Sequence, residues 1–215
     1  MIVYGSSMSP FVRKVLAFAA EKGIALEVKP IGLGADDPDF VAASPFKKMP
    51  GFRDRDFAIS DSSAIIAYLD AIQPEPNLIP AEAKARARTI WYDEFADTLL
   101  AACGGKMFFN RIVAPVFMKR EGDLAVADAA ECNELPPLLD YLEGVIPDSG
   151  FLVEDRLTLA DIAVASPFAN FRLLGLTLDA ARWPKTLAYA DAILARASFK
   201  AWTDREAAFM DKMRG

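Results

Sequence analysis

The chain is 215 residues long, enough for two small domains or one large one. It contains no histidine, which excludes Ser-His-Asp hydrolases, histidine-ligated zinc sites and imidazole acid–base catalysis. Its net charge of −6 argues against nucleic-acid partners and anionic membrane surfaces. No apolar run reaches the roughly 18 residues of a membrane span, so we expect no membrane partner. Two cysteines are too few for a disulfide framework or a metal cluster. We therefore expect no metal and a reducing, cytoplasmic location.

Strand and helix signals alternate along the first part of the chain, residues 1–75. Ile2-Val3-Tyr4 is a short apolar strand, and Ser9 followed by Pro10 is typical of a helix start. Gly23 marks the end of that helix. The further predicted elements are a strand at 26–31, a short helix at 36–43, a hairpin around 53–56, and a helix from Asp61 or Ser62 through Ile72. The order βαβαββα predicts a thioredoxin-like α/β domain with a mixed four-stranded sheet.

Strand signals almost vanish in residues 81–215, which we predict to form an all-α helical domain. Trp91, Phe95 and Leu99 lie four residues apart, as on one face of a helix. The pair Gly104-Gly105 is predicted to interrupt this helix. Pro136-Pro137 is predicted to break the next one. Three more helices are predicted, one opening at Leu159 and two at 184–196 and 199–213.

Three short segments of the first domain indicate a shared site. They are Tyr4 to Arg13 with its Ser9-Pro10-Phe11, Ser44 to Phe52 with its Lys47-Lys48-Met49-Pro50, and Ser60 to Ile66 with its Asp61-Ser62. The Met49–Pro50 bond stands between a basic turn and an apolar strand, a favourable place for a cis peptide. A cis bond there would turn the backbone N–H and C=O of Met49 outward, toward an extended peptide.

These segments resemble the N-terminal motifs of the cytosolic glutathione transferases, with a serine-type motif that looks bacterial-like or tau- or zeta-like. Thr158-Leu159-Ala160-Asp161 is similar to the capping box that this family carries on a buried helix. The resemblance implies a glutathione-binding domain at 1–75 and a helical domain at 81–215 that contributes the electrophile pocket. The sequence departs from the family pattern at Ser44, where many members have Asn, and at Gly51-Phe52, where many have two aliphatic residues.

The resemblance implies that Ser9 is the catalytic residue. Glutathione attacks as a thiolate, and a free thiol ionises near pH ~8.5, so little of it is charged at neutral pH. The helix that begins after Ser9 favours an anion at its N-terminus. As a cap, the Ser9 hydroxyl would accept from a helical N–H and keep its own proton for the sulfur. Ser6 and Ser7 stay open as rival donors, and a purely structural cap stays open for Ser9.

The resemblance also implies a set of contacts to glutathione. Lys48 is placed to meet the glycyl carboxylate, with Lys47 either helping or merely solvated. Met49 is expected to contribute its backbone. Asp61 can accept from the γ-glutamyl ammonium, while Ser62 donates to the α-carboxylate. The expected glutathione ligands are Lys48, Met49, Pro50, Asp61 and Ser62.

The electrophile pocket is expected from the loop at Met8 and from the first long helices of the second domain. Phe108 and Arg111 are the named candidates there, although aromatic residues at helical spacing are more often core. A base such as Arg111 beside an apolar pocket would favour electrophiles with anionic groups. Further candidates are Phe109, Phe117, Trp202 and Phe209.

The resemblance implies a detoxifying transferase that uses glutathione as co-substrate, needs no metal, and attacks small hydrophobic electrophiles. Glutathione-dependent isomerisation, dehalogenation and peroxide reduction need the same thiolate and stay open. So does a non-catalytic relative that binds a protein partner, as stringent-starvation-type proteins do. Redox exchange through a protein thiol is disfavoured, because Ser rather than Cys stands at position 9. The family also implies a homodimer.

Overall fold

The chain divides into two units, Met1–Ile79 and Pro80–Gly215, and the computed structural model describes residues 1–214. The first unit has the predicted order βαβαββα, so the thioredoxin-like prediction is confirmed. Its elements are β1 (Ile2–Tyr4), α1 (Pro10–Glu21), β2 (Glu27–Lys29), α2 (Pro38–Ala43), β3 (Gly51–Asp54), β4 (Phe57–Ser60) and α3 (Ser62–Ile72).

The sheet of this unit is mixed, with strand order β2-β1-β3-β4. β1 runs parallel to β2 and antiparallel to β3, and the hairpin joins β3 to β4. Val3 and Phe52 face each other across the β1–β3 pair and are fully buried. Apolar side chains on α1 and α3 are buried as well, including Val15 and Leu16 of α1 and Ile65, Ile66 and Leu69 of α3, which accounts for the helical spacing in the sequence.

The register of the sheet determines where the site lies. Tyr4 pairs with Lys29 on one side and with Gly51 on the other, and Gly51 pairs with Ser60. Tyr4 is the last residue of β1, Gly51 the first of β3 and Ser60 the last of β4. The loop after β1, the loop before β3 and the turn after β4 therefore meet at one edge of the sheet.

A buried lysine joins the end of α1 to the segment after α3, and the sequence pattern gives no sign of it. The Nζ of Lys22 donates to the carbonyl oxygens of Gln73, Pro74 and Pro76 at 2.7, 2.8 and 2.8 Å. These three bonds use all three protons of the ammonium. Oδ1 of Asp70 lies 2.8 Å away as an ion-pair partner outside that hydrogen-bond set. The side chain of Lys22 is completely buried.

The second unit is helical, as predicted. Apart from an isolated β-bridge between Val153 and Arg156, its regular structure within residues 80–214 is helix. The helices are α4 (Ala83–Phe95), α5 (Ala101–Phe108), α6 (Leu124–Ala129), α7 (Leu135–Val145), α8 (Leu159–Leu174), α9 (Pro184–Leu194) and α10 (Ala197–Arg214), with π-helical segments at Ala96–Leu100, Phe109–Phe117 and Ala130–Glu134. α8 is the central helix, since its residues from Leu159 through Phe171 are all buried.

Two predicted helix breaks are wrong. Gly104 and Gly105 lie inside α5, where the missing side chain of Gly104 lets the ring of Phe171 approach closely. Pro136-Pro137 occupies the first turn of α7, directly after a π-helical segment and without a break. The two prolines lack N–H groups, and the wider π-helical turn directly before α7 is where the hydrogen-bond pattern of the helix changes.

The longest continuous helical stretch, Ala83–Phe117, contains α4, α5 and two π-helical segments. By length and composition alone it could cross a membrane, a test that core helices of soluble proteins also pass. Both α4 and α5 pack against the buried α8. This packing gives the apolar stretch a partner within its own unit.

Candidate functional site

Gly5 lies at the contact between the first two motifs. Its φ of 150° follows the end of β1, and its N–H donates to the carbonyl of Lys29 at 3.1 Å. A Cβ at this position would lie 2.7 Å from Cγ2 of Val12 and 3.2 Å from Cβ of Met49. Only a glycine therefore fits between α1 and the residue that precedes the proline. Gly5 was missed from the sequence, although a glycine directly after a strand is a signal of close backbone approach.

Ser9 occupies the N-cap position of α1, with Pro10 next to it as predicted. The expected capping bond is absent: the Ser9 side chain makes no hydrogen bond to the N–H groups of the first turn. Its backbone N–H instead donates to the carbonyl of Ser6 at 2.9 Å, which turns the half-buried loop. The hydroxyl is thus not used for capping, and the positive end of α1 lacks a serine cap.

The rival hydroxyls of the same loop have different surroundings. Oγ of Ser6 accepts a long hydrogen bond of 3.4 Å from the N–H of Met8. Ser7 is half-buried, as is Met8. The loop thus holds three serines at similar depth, and burial alone does not separate Ser9 from its neighbours.

The Met49–Pro50 bond is cis, as the sequence predicts. The loop before it is held by Ser44, which is fully buried. Oγ of Ser44 accepts from the N–H of Lys48 at 3.0 Å and donates to the carbonyl of the same residue at 2.6 Å. The side chain of Lys48 itself is exposed, whereas Lys47 forms an ion pair with Asp36. The structural role of Ser44 was missed, because it depends on a loop closure that local patterns do not reveal.

Asp61 caps α3. Its Oδ1 accepts from the backbone N–H groups of Ser63 and Ala64 at 2.9 and 3.0 Å. Its backbone has φ 82° and ψ 128°, a conformation that non-glycine residues rarely adopt and that marks many ligand sites. A carboxylate offers about four acceptor positions, so capping leaves capacity for a ligand's ammonium. Ser62, the first residue of α3, is only 2% exposed.

A side-chain contact between the two helices brings the third motif to the first. Nζ of Lys14 on α1 donates to Oγ of Ser63 on α3 at 3.3 Å, and Lys14 is 1% exposed. Together with the contact at Gly5 and the shared sheet edge, this places all three motifs around one region of the first unit. The sequence-predicted residues Ser9, Lys48, Met49, Pro50, Asp61 and Ser62 all belong to that region.

The electrophile-pocket candidates are divided between the units. Met8 lies in the first unit, whereas Phe108 and Arg111 lie in the second, and Phe108 is 9% exposed. The guanidinium of Arg111 is held by Asp128, at 2.7 Å, and by Glu131. Its charge is therefore neutralised within its own unit. Among the further candidates, the rings of Phe117 and Phe209 lie parallel with centroids 6.1 Å apart.

The predicted capping box at the start of α8 is present. Oδ2 of Asp161 accepts from the N–H of Thr158, and Oδ1 accepts from the N–H of Leu152, both at 2.9 Å. Burial raises the pKa of Asp161 to about 6, although these hydrogen bonds and one from Tyr189 lower it. The box links α8 to the preceding loop and to α9, which is a structural role.

Two family profiles match the chain. The profile described as "Glutathione S-transferase, N-terminal domain" matches residues 3–77, and the profile described as "Glutathione S-transferase, C-terminal domain" matches residues 108–206. Each profile falls within one of the two structural units. The first of them spans all three motifs of the candidate site.

Individual relatives agree with the profiles. Glutathione S-transferase 3 from Zea mays is 31% identical over 211 residues, covering 96% of this chain and 88% of the relative. A stringent starvation protein A homolog from Coxiella burnetii is 25% identical over 201 residues, covering 94% and 90%. The crystal structure of a glutathione S-transferase from Rhodospirillum rubrum F11 is similar in fold. Its TM-score is 0.83 at 24% identity, covering 92% of this chain and 89% of that one.

Proposed function

The chain belongs to the glutathione S-transferase family, and from this premise we propose that it binds glutathione and activates its thiol toward small hydrophobic electrophiles. The observation that carries the proposal is the meeting of the three motif loops at one edge of the sheet, on the row Tyr4–Gly51–Ser60. Two helix N-termini, those of α1 and α3, begin at this edge. Such ends attract anions, and glutathione carries two carboxylates and an ionisable thiol.

Ser9 is the proposed partner of the thiolate. Its hydroxyl makes no capping bond, so its proton can be directed at sulfur while the N-terminus of α1 adds a favourable field. Lowering a thiol pKa by about two units requires roughly 3 kcal/mol. A hydrogen bond to a charged group contributes about 1.5–3 kcal/mol and a helix end about 0.3–1 kcal/mol, so these two effects suffice.

The reaction that follows needs no other protein nucleophile. The thiolate sulfur forms a bond to the electrophilic carbon, and the electron pair leaves with a halide or stays on the oxygen of an opened epoxide. Lys48, the backbone of Met49, Asp61 and Ser62 hold the tripeptide in the roles that the sequence implies. The exposed ammonium of Lys48 and the open capacity of the Asp61 carboxylate support these roles.

Met8 of the first unit and Phe108 and Arg111 of the second unit are the residues that we propose for contact with the electrophile. Because Asp128 and Glu131 hold the guanidinium of Arg111, this residue brings no unpaired positive charge. The remaining proposed contacts, Met8 and Phe108, are apolar, which favours uncharged electrophiles over anionic ones.

A cytoplasmic homodimer with a role in detoxification completes the proposal. The most exposed apolar side chain of the first unit, Phe46 at 86%, supports a partner surface on the loop before Met49. A second candidate function is that of a non-catalytic module that binds a protein partner, and the 25% identity to a protein named as a stringent starvation protein A homolog supports it.

Binding and turnover measured together test the proposal. Calorimetry with glutathione gives its affinity, and a panel of aryl halides, epoxides, isothiocyanates, hydroperoxides and maleyl compounds gives the reaction. We expect micromolar to millimolar binding and conjugation of at least one uncharged aromatic electrophile. Binding without turnover would favour the second candidate. Absence of glutathione binding at millimolar concentration would overturn the proposed transferase function.

A further inference from the structure

We infer that Ser44 is a positioning residue that presents Lys48, and not Lys47, to the glycyl carboxylate of glutathione. This inference rests on the proposed function and specifies how one end of the tripeptide is recognised. Two adjacent lysines of this loop differ in their surroundings: Lys47 forms an ion pair, whereas the ammonium of Lys48 has no ion-pair partner among the described residues.

The backbone of Ser44 is held in place by two hydrogen bonds, and its side chain is buried. Its N–H donates to the carbonyl of Phe40 at 2.7 Å, its carbonyl accepts from the N–H of Lys47 at 2.9 Å, and its side chain is fully buried. The hydroxyl can donate one bond and accept two. It uses this capacity on both polar backbone groups of Lys48, at 3.0 and 2.6 Å. One buried side chain therefore fixes the peptide plane on each side of Lys48.

Lys47 is directed elsewhere. Its backbone φ is 53°, in the left-handed region, and its ammonium pairs with the carboxylate of Asp36. That carboxylate is 83% exposed and would repel a second carboxylate brought to the same ammonium. Within residues 1–214, by contrast, the ammonium of Lys48 has no ion-pair partner. Lys48 alone offers an unneutralised charge directly before the Met49 backbone.

The position of Lys48 directly before Met49 determines which part of glutathione its ammonium would meet. Lys48 precedes Met49, whose backbone is the proposed partner of the cysteinyl part of glutathione, so we expect its side chain to meet the neighbouring glycyl end. A flexible exposed lysine loses affinity through side-chain and backbone disorder. Fixing the backbone of Lys48 through Ser44 removes the backbone part of that loss. The hydroxyl never touches the ligand.

A comparison of glutathione with its glycyl ethyl ester, which lacks the carboxylate, isolates this end of the ligand. Dissociation constants are measured by calorimetry for the wild type, Lys48→Met, Lys47→Met and Ser44→Ala. We expect the wild type to prefer glutathione about 5-fold, the value of an exposed ion pair. Lys48→Met is expected to abolish the preference, Ser44→Ala to reduce it below about 2-fold, and Lys47→Met to keep it.

Two further variants separate positioning from folding. Ser44→Thr keeps the hydroxyl and is expected to keep most of the preference, whereas Ser44→Cys keeps the shape with a weak donor and is expected to behave like Ser44→Ala. Thermal unfolding checks each variant, and Ser44→Cys replaces Ser44→Ala if the latter does not fold.

The outcomes distinguish this inference from the proposed function. A wild type that binds both ligands equally, a Ser44→Ala protein with unchanged preference, or a Lys47→Met protein that loses it would each overturn the inference alone. A wild type that binds neither ligand would overturn the proposed function as well.

Discussion

The ammonium of Lys14 donates a hydrogen bond to the hydroxyl of Ser63 across 3.3 Å. Lys14 lies on the helix that begins after Ser9, and Ser63 on the helix that begins after Asp61. Lys14 is the fifth residue of α1 and Ser63 the second residue of α3, so the bond joins the two helices near the N-termini that form the proposed glutathione site. At the opposite ends, Lys22 joins the same helices through the carbonyls after α3.

Lys22→Met is expected to destabilise the protein by about 3 kcal/mol, since it leaves three carbonyls and a carboxylate without their buried cation. Urea unfolding followed by circular dichroism measures this change. Lys48→Met is the matched control: it removes the same ammonium from an exposed position and is expected to stay within about 0.5 kcal/mol of the wild type. Equal stability of the two variants would refute the structural role of Lys22.

Two adjacent glycines of α5 are expected to respond in opposite directions to alanine. A Cβ at Gly104 would lie 2.9 Å from Cε1 of the buried Phe171, whereas a Cβ at Gly105 meets nothing within 4 Å. Gly105→Ala should stabilise the protein by about 0.5–1 kcal/mol through helix propensity. Gly104→Ala should be less stable than Gly105→Ala by about 1–3 kcal/mol, because of overpacking. Thermal unfolding of both variants checks the difference, and equal melting temperatures would contradict it.

Asp161 is expected to make stability fall as pH rises. Burial raises its pKa to about 6 from an ordinary 3.8, so the folded state binds this proton more tightly than the unfolded state. The resulting stability is complete below about pH 4 and is lost as pH rises through about 6, a change of roughly 3 kcal/mol. Asp161→Asn lacks this titration. Its free energy of unfolding should therefore fall less than that of the wild type between about pH 4.5 and 7.5. Parallel curves for the two proteins would argue against the shifted pKa.

Phe46 is expected to contribute to a homodimer. Sedimentation velocity over a range of concentrations should show a dimer for the wild type and at least about a tenfold weaker one for Phe46→Ser, as for a buried aromatic anchor. Leu33→Ser is the control, because Leu33 is a large apolar side chain on another loop and is 62% exposed. A monomeric wild type at micromolar concentration would defeat this prediction.

Local signals were sufficient for most of the helices and strands and for the local geometry of the three motifs. Ser9-Pro10 marks the start of α1, Asp61 caps α3, and the cis bond at Met49–Pro50 follows from its place between a turn and a strand. Each of these features depends on residues within a few positions of one another. A hydrophobic period and a capping pattern therefore contain enough information to predict them.

Three of the features that were missed depend on contacts over longer sequence distances. Lys22 finds its carbonyl partners more than fifty residues away, a distance at which its charge in the sequence suggests only an exposed side chain. From the sequence alone, Gly104 indicates a helix break, whereas in the structure the ring of Phe171 packs against it. From the sequence alone, Arg111 is expected to be an unpaired base, whereas in the structure it forms ion pairs with Asp128 and Glu131. Tertiary packing determines all three.

The pKa of the bound glutathione thiol shows whether a hydroxyl at the N-terminus of α1 stabilises the thiolate. Ultraviolet absorbance of the thiolate, titrated against pH, is measured for the wild type, Ser9→Ala, Ser7→Ala and Ser6→Ala. We expect a thiol pKa about two units below ~8.5 in the wild type. In Ser9→Ala we expect this pKa to rise by about one unit or more, with glutathione affinity changed less than about threefold. An unchanged thiol pKa in Ser9→Ala would contradict a role for Ser9, and a rise in Ser6→Ala or Ser7→Ala instead would assign the role to that serine.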